Sequence, residues 1–169
     1  EDIIVLTNDK NIIPAVQLVK KKTNKHVEIF PSKNVIQGVA AIMGFVKNLT
    51  WEENLAQMTA SMELVDSISI YKSVKNSSFA GIRIPVDNYF SVMNGNVTAV
   101  NEHIEETVKE AIRNASPDEK TMISFYYHDQ ISEDKLDPLL EDLGETYPDI
   151  EFGMHYGGQY TALLLIGLE

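Results

Sequence analysis

The pattern of the first 31 residues predicts a strand, a helix and a second strand, and it constrains the fold more than any other feature of the sequence. Residues 2–7 (DIIVLT) and 26–31 (HVEIFP) are short runs rich in apolar and β-branched residues, which is typical of buried strands. Between them, apolar residues recur at helical spacing, at Ile12, Val16 and Val19. Pro14 fits only the first turn of that helix, which favours Asn11 as its cap. Because a βαβ unit of this kind has parallel strands, we expect a parallel pair here.

The following residues continue to alternate between helical and strand patterns. Residues 50–53 (TWEE) match a capping box, which predicts a helix that begins at Trp51, and we expect a short apolar helix before it at residues 39–47. From residue 67 the apolar residues alternate with period two, which predicts antiparallel strands. Asn94-Gly95 lies between two such runs, and this pair is typical of a type I′ hairpin turn.

The last third of the chain returns to helices and buried strands. We expect a helix that is capped by Asn101 and ends near Asn114, and a second helix at residues 132–147. Pro138 conflicts with an unbroken second helix, so either the helix is kinked or Asp137 caps a shorter one. Three strands complete the chain, at residues 121–127, 150–156 and 162–168.

These elements predict an α/β fold of two associated α/β lobes that antiparallel strands bridge. We place the first lobe at residues 1–75, the antiparallel β bridge with its Asn-Gly hairpin at residues 76–100, and the second lobe at residues 101–169. With 169 residues, 44% of them hydrophobic, the chain is able to bury a core. It begins with Glu1 rather than Met, and we expect it to be a piece of a longer protein.

Charge is distributed unevenly along the chain, which has 25 acidic and 14 basic residues and a net charge of −11. Residues 101–151 hold 15 acidic and 4 basic residues, whereas the first 50 residues hold 7 lysines and 4 acidic residues. The overall balance argues against a nucleic-acid partner, because the phosphate backbone would be repelled. The two charged regions are either two docking faces or solvated helix surfaces. No apolar run approaches the membrane-spanning length of about 20 residues.

Motifs that carry chemistry are missing from the sequence. Neither glycine motif for phosphate, G-x-x-x-x-G-K-[ST] or G-x-G-x-x-G, occurs, and the hydrolase motif G-x-S-x-G is also absent. The chain has no cysteine, and its four histidines do not have the spacing of metal ligands. Acidic pairs are numerous, but nothing in the sequence marks one of them as a general acid or base. We therefore expect no catalytic residue, metal or cofactor in this chain.

Two loops have the composition of binding sites. Residues 31–38 (PSKNVIQG) follow the second strand, at the carboxyl edge where open α/β sheets bind ligands, and a helix start follows them. Residues 155–160 (HYGGQY) combine two glycines with polar side chains that can adapt to a partner. The alternative is that the first loop only connects a strand to a helix and the second is a tight turn. The candidate partner-binding residues are Lys33, Asn34, Gln37, His155 and Gln159.

Four blocks of the sequence carry a resemblance to a known family. They are LTNDKNII at residues 6–13, IFPSKNVIQGVAAIMGF at 29–45, FSVMNGNV at 90–97, and YPDIEFGMHYGGQYTALLLIGLE at 147–169. In this order they resemble the C-terminal region of the bacterial fatty acid kinase large subunit. That family has a dihydroxyacetone-kinase-like ATP domain, a middle domain and a C-terminal domain. The resemblance covers essentially the whole chain.

The resemblance implies a piece of a cytosolic two-component enzyme. In that family the large subunit phosphorylates fatty acids held by a small DegV-type binding protein, and the acyl phosphate feeds phospholipid synthesis. ATP and magnesium bind an aspartate- and glycine-rich motif of the kinase domain, which has no counterpart in this sequence. We therefore expect a cytoplasmic, non-catalytic C-terminal domain that docks the fatty-acid-binding small subunit, without membrane insertion and without a nucleic-acid partner.

The α/β layout also resembles the DegV family itself, in which a loop rich in serine and proline after an early strand holds the fatty acid carboxylate. Here the comparable residues 32–38 (SKNVIQG) lack that pattern. The resemblance thus implies a copy of the binding fold that contacts another protein. The alternative function is a DegV-type module that binds a lipid or a small anion through Lys33, Asn34, Gln37 and the helix start that follows them.

Overall fold

The computed structural model describes residues 2–169 and divides the chain into two compact units. Unit 1 is Glu1–Val65 and unit 2 is Asp66–Glu169, and each has its own sheet and its own apolar core. The sequence pattern predicts three segments, and the structure divides the chain differently. Residues 66–75, expected in the first lobe, and residues 76–100, expected as a bridge, both belong to unit 2.

Unit 1 contains the βαβ pattern and two further helices. Strands β1 (Asp2–Leu6) and β2 (His26–Phe30) pair in parallel along their whole length. Helix α1 (Ile13–Lys22) connects them, which confirms the predicted βαβ unit. Helices α2 (Val35–Met43) and α3 (Trp51–Leu64) follow and pack on each other.

Side-chain caps begin two of the three helices of unit 1. Helix α3 has the predicted capping box: the Glu53 amide donates to the Thr50 hydroxyl (3.3 Å), and the Thr50 amide donates to the Glu53 carboxylate (2.8 Å). The predicted Asn11 cap of α1 is wrong, because that helix begins after Ile12 and no side chain caps it. The Asn11 amide donates instead to the Asp9 carboxylate, at 2.8 Å, in a turn before the helix.

Helix α2 begins four residues before the predicted start at residue 39. The backbone of Asn34 is extended and its side chain accepts the Gln37 amide, so the cap lies inside the loop that the pattern left polar. The helix also ends earlier than predicted, and Gly44 follows it. A Cβ at Gly44 would lie 2.5 Å from the Ser61 hydroxyl of α3, so glycine is what allows the two helices to approach here.

The core of unit 1 is small. Its buried residues are Phe30, Ala41, Met58 and Met62, and Ile4, Leu6 and Leu55 pack against them while partly exposed. By contrast, α1 has no buried residue at all, and its Leu18 and Val19 side chains are exposed. The apolar packing of unit 1 therefore comes mainly from the strands and from α2 and α3.

Unit 2 is built around a six-stranded mixed sheet and a separate small hairpin. Its strands are β3 (Asp66–Lys72), β4 (Ser77–Phe79), β5 (Ile82–Ile84), β6 (Tyr89–Met93), β7 (Asn96–Asn101), β8 (Met122–Tyr127), β9 (Glu151–Tyr156) and β10 (Leu164–Leu168). The large sheet has the order β7-β6-β3-β10-β8-β9, with β8 and β9 parallel and the other neighbours antiparallel. Asn94 and Gly95 join β6 to β7, with positive φ angles of 53° and 81°.

Two helices, α4 (Ile104–Asn114) and α5 (Asp137–Thr146), accompany this sheet. The predicted Asn101 cap of α4 is wrong: the helix begins after His103, and the Asn101 side chain donates to the Glu110 carboxylate at 2.7 Å. Of the two alternatives at Pro138, the shorter helix is the one found. Pro138 lies in its first turn, where a missing amide costs nothing, and residues 133–135 form a separate 3₁₀ turn.

The core of unit 2 joins the sheet to both helices. It includes Ile68 and Ile70 of β3, Phe125 of β8, and Leu164 and Ile166 of β10, none of which has exposed surface. Strands β3 and β10 lie in the middle of the sheet and read as continuous apolar or alternating runs, as buried central strands do. Within residues 2–169, none of the helices has both the length and the apolar character needed to cross a membrane.

Candidate functional site

The carboxyl ends of β1 and β2 bring two hydroxyl side chains together in unit 1. Thr7 directly follows β1 and Ser32 follows β2, and both are buried. The Thr7 hydroxyl donates to the carbonyl oxygens of Ser32 (2.7 Å) and Phe30 (3.1 Å), and the Ser32 hydroxyl donates to the carbonyl oxygen of Thr7. Both hydroxyl groups therefore satisfy backbone carbonyls of the adjoining segments rather than facing outward.

Sequence reasoning included Ser32 in the candidate loop but missed Thr7. The signal was available, because Thr7 is the last polar residue of its strand run and parallel strands place such positions at one edge. What the pattern could not show is the direction of the two hydroxyl groups. That direction depends on which backbone carbonyls the folded loops leave without a partner.

The predicted residues Asn34 and Gln37 act at the start of helix α2. The Asn34 side chain accepts the Gln37 amide (2.9 Å), and the Gln37 side chain accepts the Lys33 amide (2.8 Å). These are amides that a bound anion would otherwise satisfy at a helix start. Lys33 contributes its backbone to this arrangement, and its side chain is exposed. The structure thus brings the three predicted residues together in the geometry of a helix cap.

The second candidate loop follows β9, the edge strand of the large sheet. The Gln159 side-chain amide donates to the carbonyl oxygen of Tyr126 at 2.8 Å, which ties the loop to strand β8. The Gln159 Oε1 atom is buried and has no hydrogen-bond partner within residues 2–169. His155 is exposed, and its ring centroid lies 5.4 Å from that of Tyr126. The two predicted residues of this loop therefore flank the same tyrosine.

Gly157 is required for this arrangement. A Cβ at residue 157 would lie 2.0 Å from the Gln159 Oε1 atom and 2.9 Å from the Tyr126 Cβ atom, which is closer than side chains approach. Gly158 has a positive φ of 60°, a conformation that favours glycine. The glycine pair therefore allows Gln159 to fold back onto β8.

Two tyrosines beside this loop donate hydrogen bonds to carboxylates. The bond from Tyr156 to Asp129 raises the pKa of the Tyr156 phenol. Desolvation, together with the neighbouring Glu133 carboxylate at 3.4 Å, raises the pKa of Tyr127. The two rings meet edge to face with centroids 5.7 Å apart. Both phenols keep their protons at neutral pH, so they serve as hydrogen-bond donors rather than as bases.

The predicted residues fall into two groups that belong to different units. Lys33, Asn34 and Gln37 belong to unit 1, and His155 and Gln159 belong to unit 2. Each group is tied to its own loop by the hydrogen bonds described above. In the part of the chain that the structure describes, no three His, Cys, Asp or Glu side chains converge as metal ligands would.

Unit 2 also contains a surface pocket of about 430 Å³ that the sequence pattern did not indicate. Its lining mixes charged groups with aliphatic surface. The charged or ionisable side chains include Lys72, Lys135 and His103, with Glu102 and Glu105 beside them, and the aliphatic ones include Ile104, Ile131 and Leu163. A pocket of this size and mixed lining suits a small amphipathic molecule.

A comparison with protein families gives the same answer along the whole chain. Residues 1–169 match the model of the FakA-like C-terminal family, in which FakA denotes the kinase component of fatty acid kinase. The chain belongs to this family. Membership confirms the resemblance that the four sequence blocks carry.

Curated relatives are longer than this chain. It is 26% identical over 156 residues to protein SAR1202 of Staphylococcus aureus (strain MRSA252), which is 92% of this chain and 28% of that protein. It is 24% identical over 169 residues to protein YloV of Bacillus subtilis (strain 168), which is all of this chain and 31% of that protein. The chain therefore spans less than a third of the length of these relatives.

Solved structures with the same fold are DegV-type proteins. The fatty acid kinase B3 protein of Streptococcus pneumoniae, loaded with linoleic acid, superposes with a TM-score of 0.68 at 13% identity, over 98% of this chain and 70% of that one. A DegV family protein from Eubacterium eligens, loaded with heptadecanoic acid, gives a TM-score of 0.66 at 11% identity, over 100% and 73%. The chain therefore has an α/β fold of the DegV type.

Proposed function

We propose that this chain is the partner-recognition domain of a two-component fatty acid kinase. It docks a fatty-acid-binding small subunit of the DegV type, so that a separate ATP domain phosphorylates the fatty acid. Membership in the FakA-like C-terminal family supports the assignment to such an enzyme. The reaction needs the acid and the nucleotide to be held in line, and positioning of the loaded subunit is the contribution we assign to this chain.

The observation that carries the proposal is the direction of the buried hydroxyl groups of Thr7 and Ser32. They lie where an open α/β sheet binds its ligand, yet they donate to backbone carbonyls of their own loops. Asn34 and Gln37 are used in the same way, as caps of α2. This edge of unit 1 therefore lacks outward-facing donors from these four side chains, which favours a docking role over binding of a carboxylate there.

The acidic character of unit 2 supports a protein partner with a basic patch. Residues 101–151 hold 15 acidic and 4 basic residues, including Glu105 and Glu106 in the first turn of α4. Opposite charge on the small subunit would steer the encounter, and this effect weakens as salt screens it. We therefore expect the association rate to fall when ionic strength is raised. An association rate that is the same in low and high salt would remove this electrostatic element of the proposal.

A titration of this chain with the purified DegV-type small subunit tests the function directly. We expect binding by calorimetry, and a weaker complex for Lys33→Ala and His155→Ala, because these are the predicted residues whose side chains are exposed. Gln37→Ala and Gln159→Ala act through the loops that they hold. Lys47→Ala is the matched control, since it removes an exposed lysine outside both loops.

The outcomes separate the function from the site residues. If the wild-type chain does not bind the small subunit, the proposed function is wrong. If it binds and all the loop variants bind equally well, the predicted contact residues are wrong while the docking function stands.

A second candidate function, direct binding of a lipid or small anion, is favoured by the pocket of unit 2. The pocket places Lys72, Lys135 and His103 next to aliphatic side chains, and the solved DegV-type neighbours are described as loaded with fatty acids. Native mass spectrometry of the purified chain with oleic acid tests this alternative. A one-to-one adduct that Lys72→Ala and Lys135→Ala together abolish would support lipid binding, and no adduct at all would leave docking alone.

A further inference from the structure

The hairpin formed by β4 and β5 is an ordered, exposed element of unit 2. Ala80 and Gly81 form its turn with positive φ angles of 48° and 85°, as in a type I′ turn. Ser77 pairs with Ile84, and Phe79 pairs with Ile82. A hairpin of three residues per strand is not stable by itself, so its conformation depends on how its base is held.

The base of this hairpin is held by several hydrogen bonds. The Ser73 amide donates to the carbonyl oxygen of Asn88 (2.8 Å), and the Asp87 amide donates to the carbonyl oxygen of Ser73 (2.9 Å). The Val86 amide donates to the Asn76 side chain at 3.0 Å. Because the base is fixed in this way, the hairpin presents its tip in one orientation.

The tip of the hairpin exposes an apolar pair. Directly opposite residues share one face of a hairpin, so Phe79 and Ile82 lie on the same face as Ile84. Ile84 is only 3% exposed, whereas Phe79 is 46% and Ile82 is 41% exposed. The face is therefore covered near the base and uncovered at the tip. An exposed aromatic and aliphatic pair on a fixed support has the composition of an interaction anchor.

The charge of the hairpin is opposite to that of the unit that carries it. Unit 2 has 18 acidic and 7 basic residues, yet residues 73–86 contain two cations, Lys75 and Arg83, and no acidic residue. A further cation at the base, Lys72, is paired with Asp87 in a salt bridge of 3.5 Å. The hairpin is thus a basic, apolar element within an acidic unit.

We propose that the hairpin tip, Phe79 and Ile82 flanked by Lys75 and Arg83, docks into an apolar recess rimmed by carboxylates on the fatty-acid-binding small subunit. This inference rests on the proposed function, since it names the contact surface for that partner. Local charge complementarity favours a protein of this chemistry. Two copies of this chain, each with a net charge of −11, repel each other, and an anionic lipid surface repels the chain in the same way.

The test is a titration of the purified DegV-type small subunit with the wild-type chain and with the Phe79→Ser, Ile82→Ser double variant. We expect the double variant to bind at least tenfold more weakly, because loss of a central apolar anchor has effects of this size. Arg83→Glu should also weaken binding, and more so at low salt. Ser78→Ala is the control on the opposite face of the same strand, and Val19→Ser is a matched control for an exposed apolar residue in unit 1.

Hydrogen exchange of the wild-type complex provides a second measurement that needs no variant. We expect amides of residues 77–84 to exchange more slowly when the small subunit is bound. If the wild-type chain binds, but the double variant binds equally well or these amides stay unprotected, the hairpin assignment is overturned while the docking function survives. No binding by the wild-type chain overturns both.

Two further results would assign the tip to another occupant and so overturn the proposal. One is binding to phosphatidylglycerol vesicles that the double variant loses. The other is a concentration-dependent dimer of the wild-type chain that the double variant loses.

Discussion

Unit 1 and unit 2 both alternate helices with strands, but they differ in what they bury and in the charge that they carry. Unit 2 covers its six-stranded sheet with an apolar cluster that includes Phe125 and Leu164, whereas unit 1 has two strands, a small apolar core and the buried hydroxyls of Thr7 and Ser32. Unit 1 has seven basic and seven acidic residues, and unit 2 carries the whole net charge of −11.

This difference shows that the two units obtain their order in different ways. Apolar burial contributes about 25 cal/mol per Å², so a large cluster stabilises unit 2 without help from polar groups. In unit 1 the small core leaves more of the order to individual hydrogen bonds, such as those of Thr7. The electrostatic contrast points the same way for function, because a charged unit steers a partner and a neutral one does not.

The largest effect that would test this comparison is a truncation in each core. We expect Phe125→Ala to lower the free energy of unfolding by about 3–5 kcal/mol, since the ring has no exposed surface and a large cluster surrounds it. Met58→Ala should lower it less, because the cluster around Met58 is small and partly open. Urea unfolding, read through hydrogen exchange of the amides in the same unit, measures both. An equal or greater loss from Met58→Ala would contradict the comparison.

A smaller effect is expected from the buried hydroxyl groups. Ser32→Ala should cost about 1–3 kcal/mol, because it leaves the buried Thr7 carbonyl without its donor. Ser91 of unit 2 is also buried, but its hydroxyl partner is Thr98 at 2.7 Å, which is half-buried and reaches solvent. Ser91→Ala should therefore cost about 0.5–1.5 kcal/mol. Equal losses in thermal or urea unfolding would show that unit 1 does not depend more on its polar groups.

The smallest effect concerns the pH dependence of unit 2. The hydrogen bond to Asp129 raises the pKa of Tyr156, so the folded chain holds this phenolic proton more tightly than the unfolded chain does. Its contribution to stability is present below the ordinary phenol pKa of about 10 and is lost as the pH rises through the raised value. Absorbance titration of the phenols should show Asp129→Asn lowering the pKa of Tyr156. An unchanged titration curve would argue against this bond, and Glu133→Gln, beside Tyr127, is the control.

Local patterns predicted the elements well wherever one short-range rule controlled them. The βαβ unit, the capping box at Thr50 and the shorter helix after Pro138 follow from spacing, reciprocal capping and a missing amide. The helix caps at Asn11 and Asn101 were wrong for a common reason. Both asparagines had another partner in the fold, the Asp9 carboxylate for the Asn11 amide and Glu110 for the Asn101 side chain.

The candidate loops show a similar limit. Their residues could be selected from composition, and the structure shows each group acting within one loop. The sequence did not indicate the pocket of unit 2, because residues as far apart as Lys72 and Leu163 line it. The hairpin tip was also missed, since the pattern indicated only a short strand candidate near Gly81.

The sequence by itself determined the α/β class, the family, the acidic balance of residues 101–151 and the lack of known catalytic motifs. These properties depend on residues that are neighbours in the chain or on simple counts. Only the tertiary structure decided that the hydroxyls of Thr7 and Ser32 satisfy backbone carbonyls, and that Phe79 and Ile82 stay exposed while Ile84 is covered. The physical reason is that hydrogen-bond direction and burial depend on which distant segments meet, and pairwise spacing along the chain does not specify this.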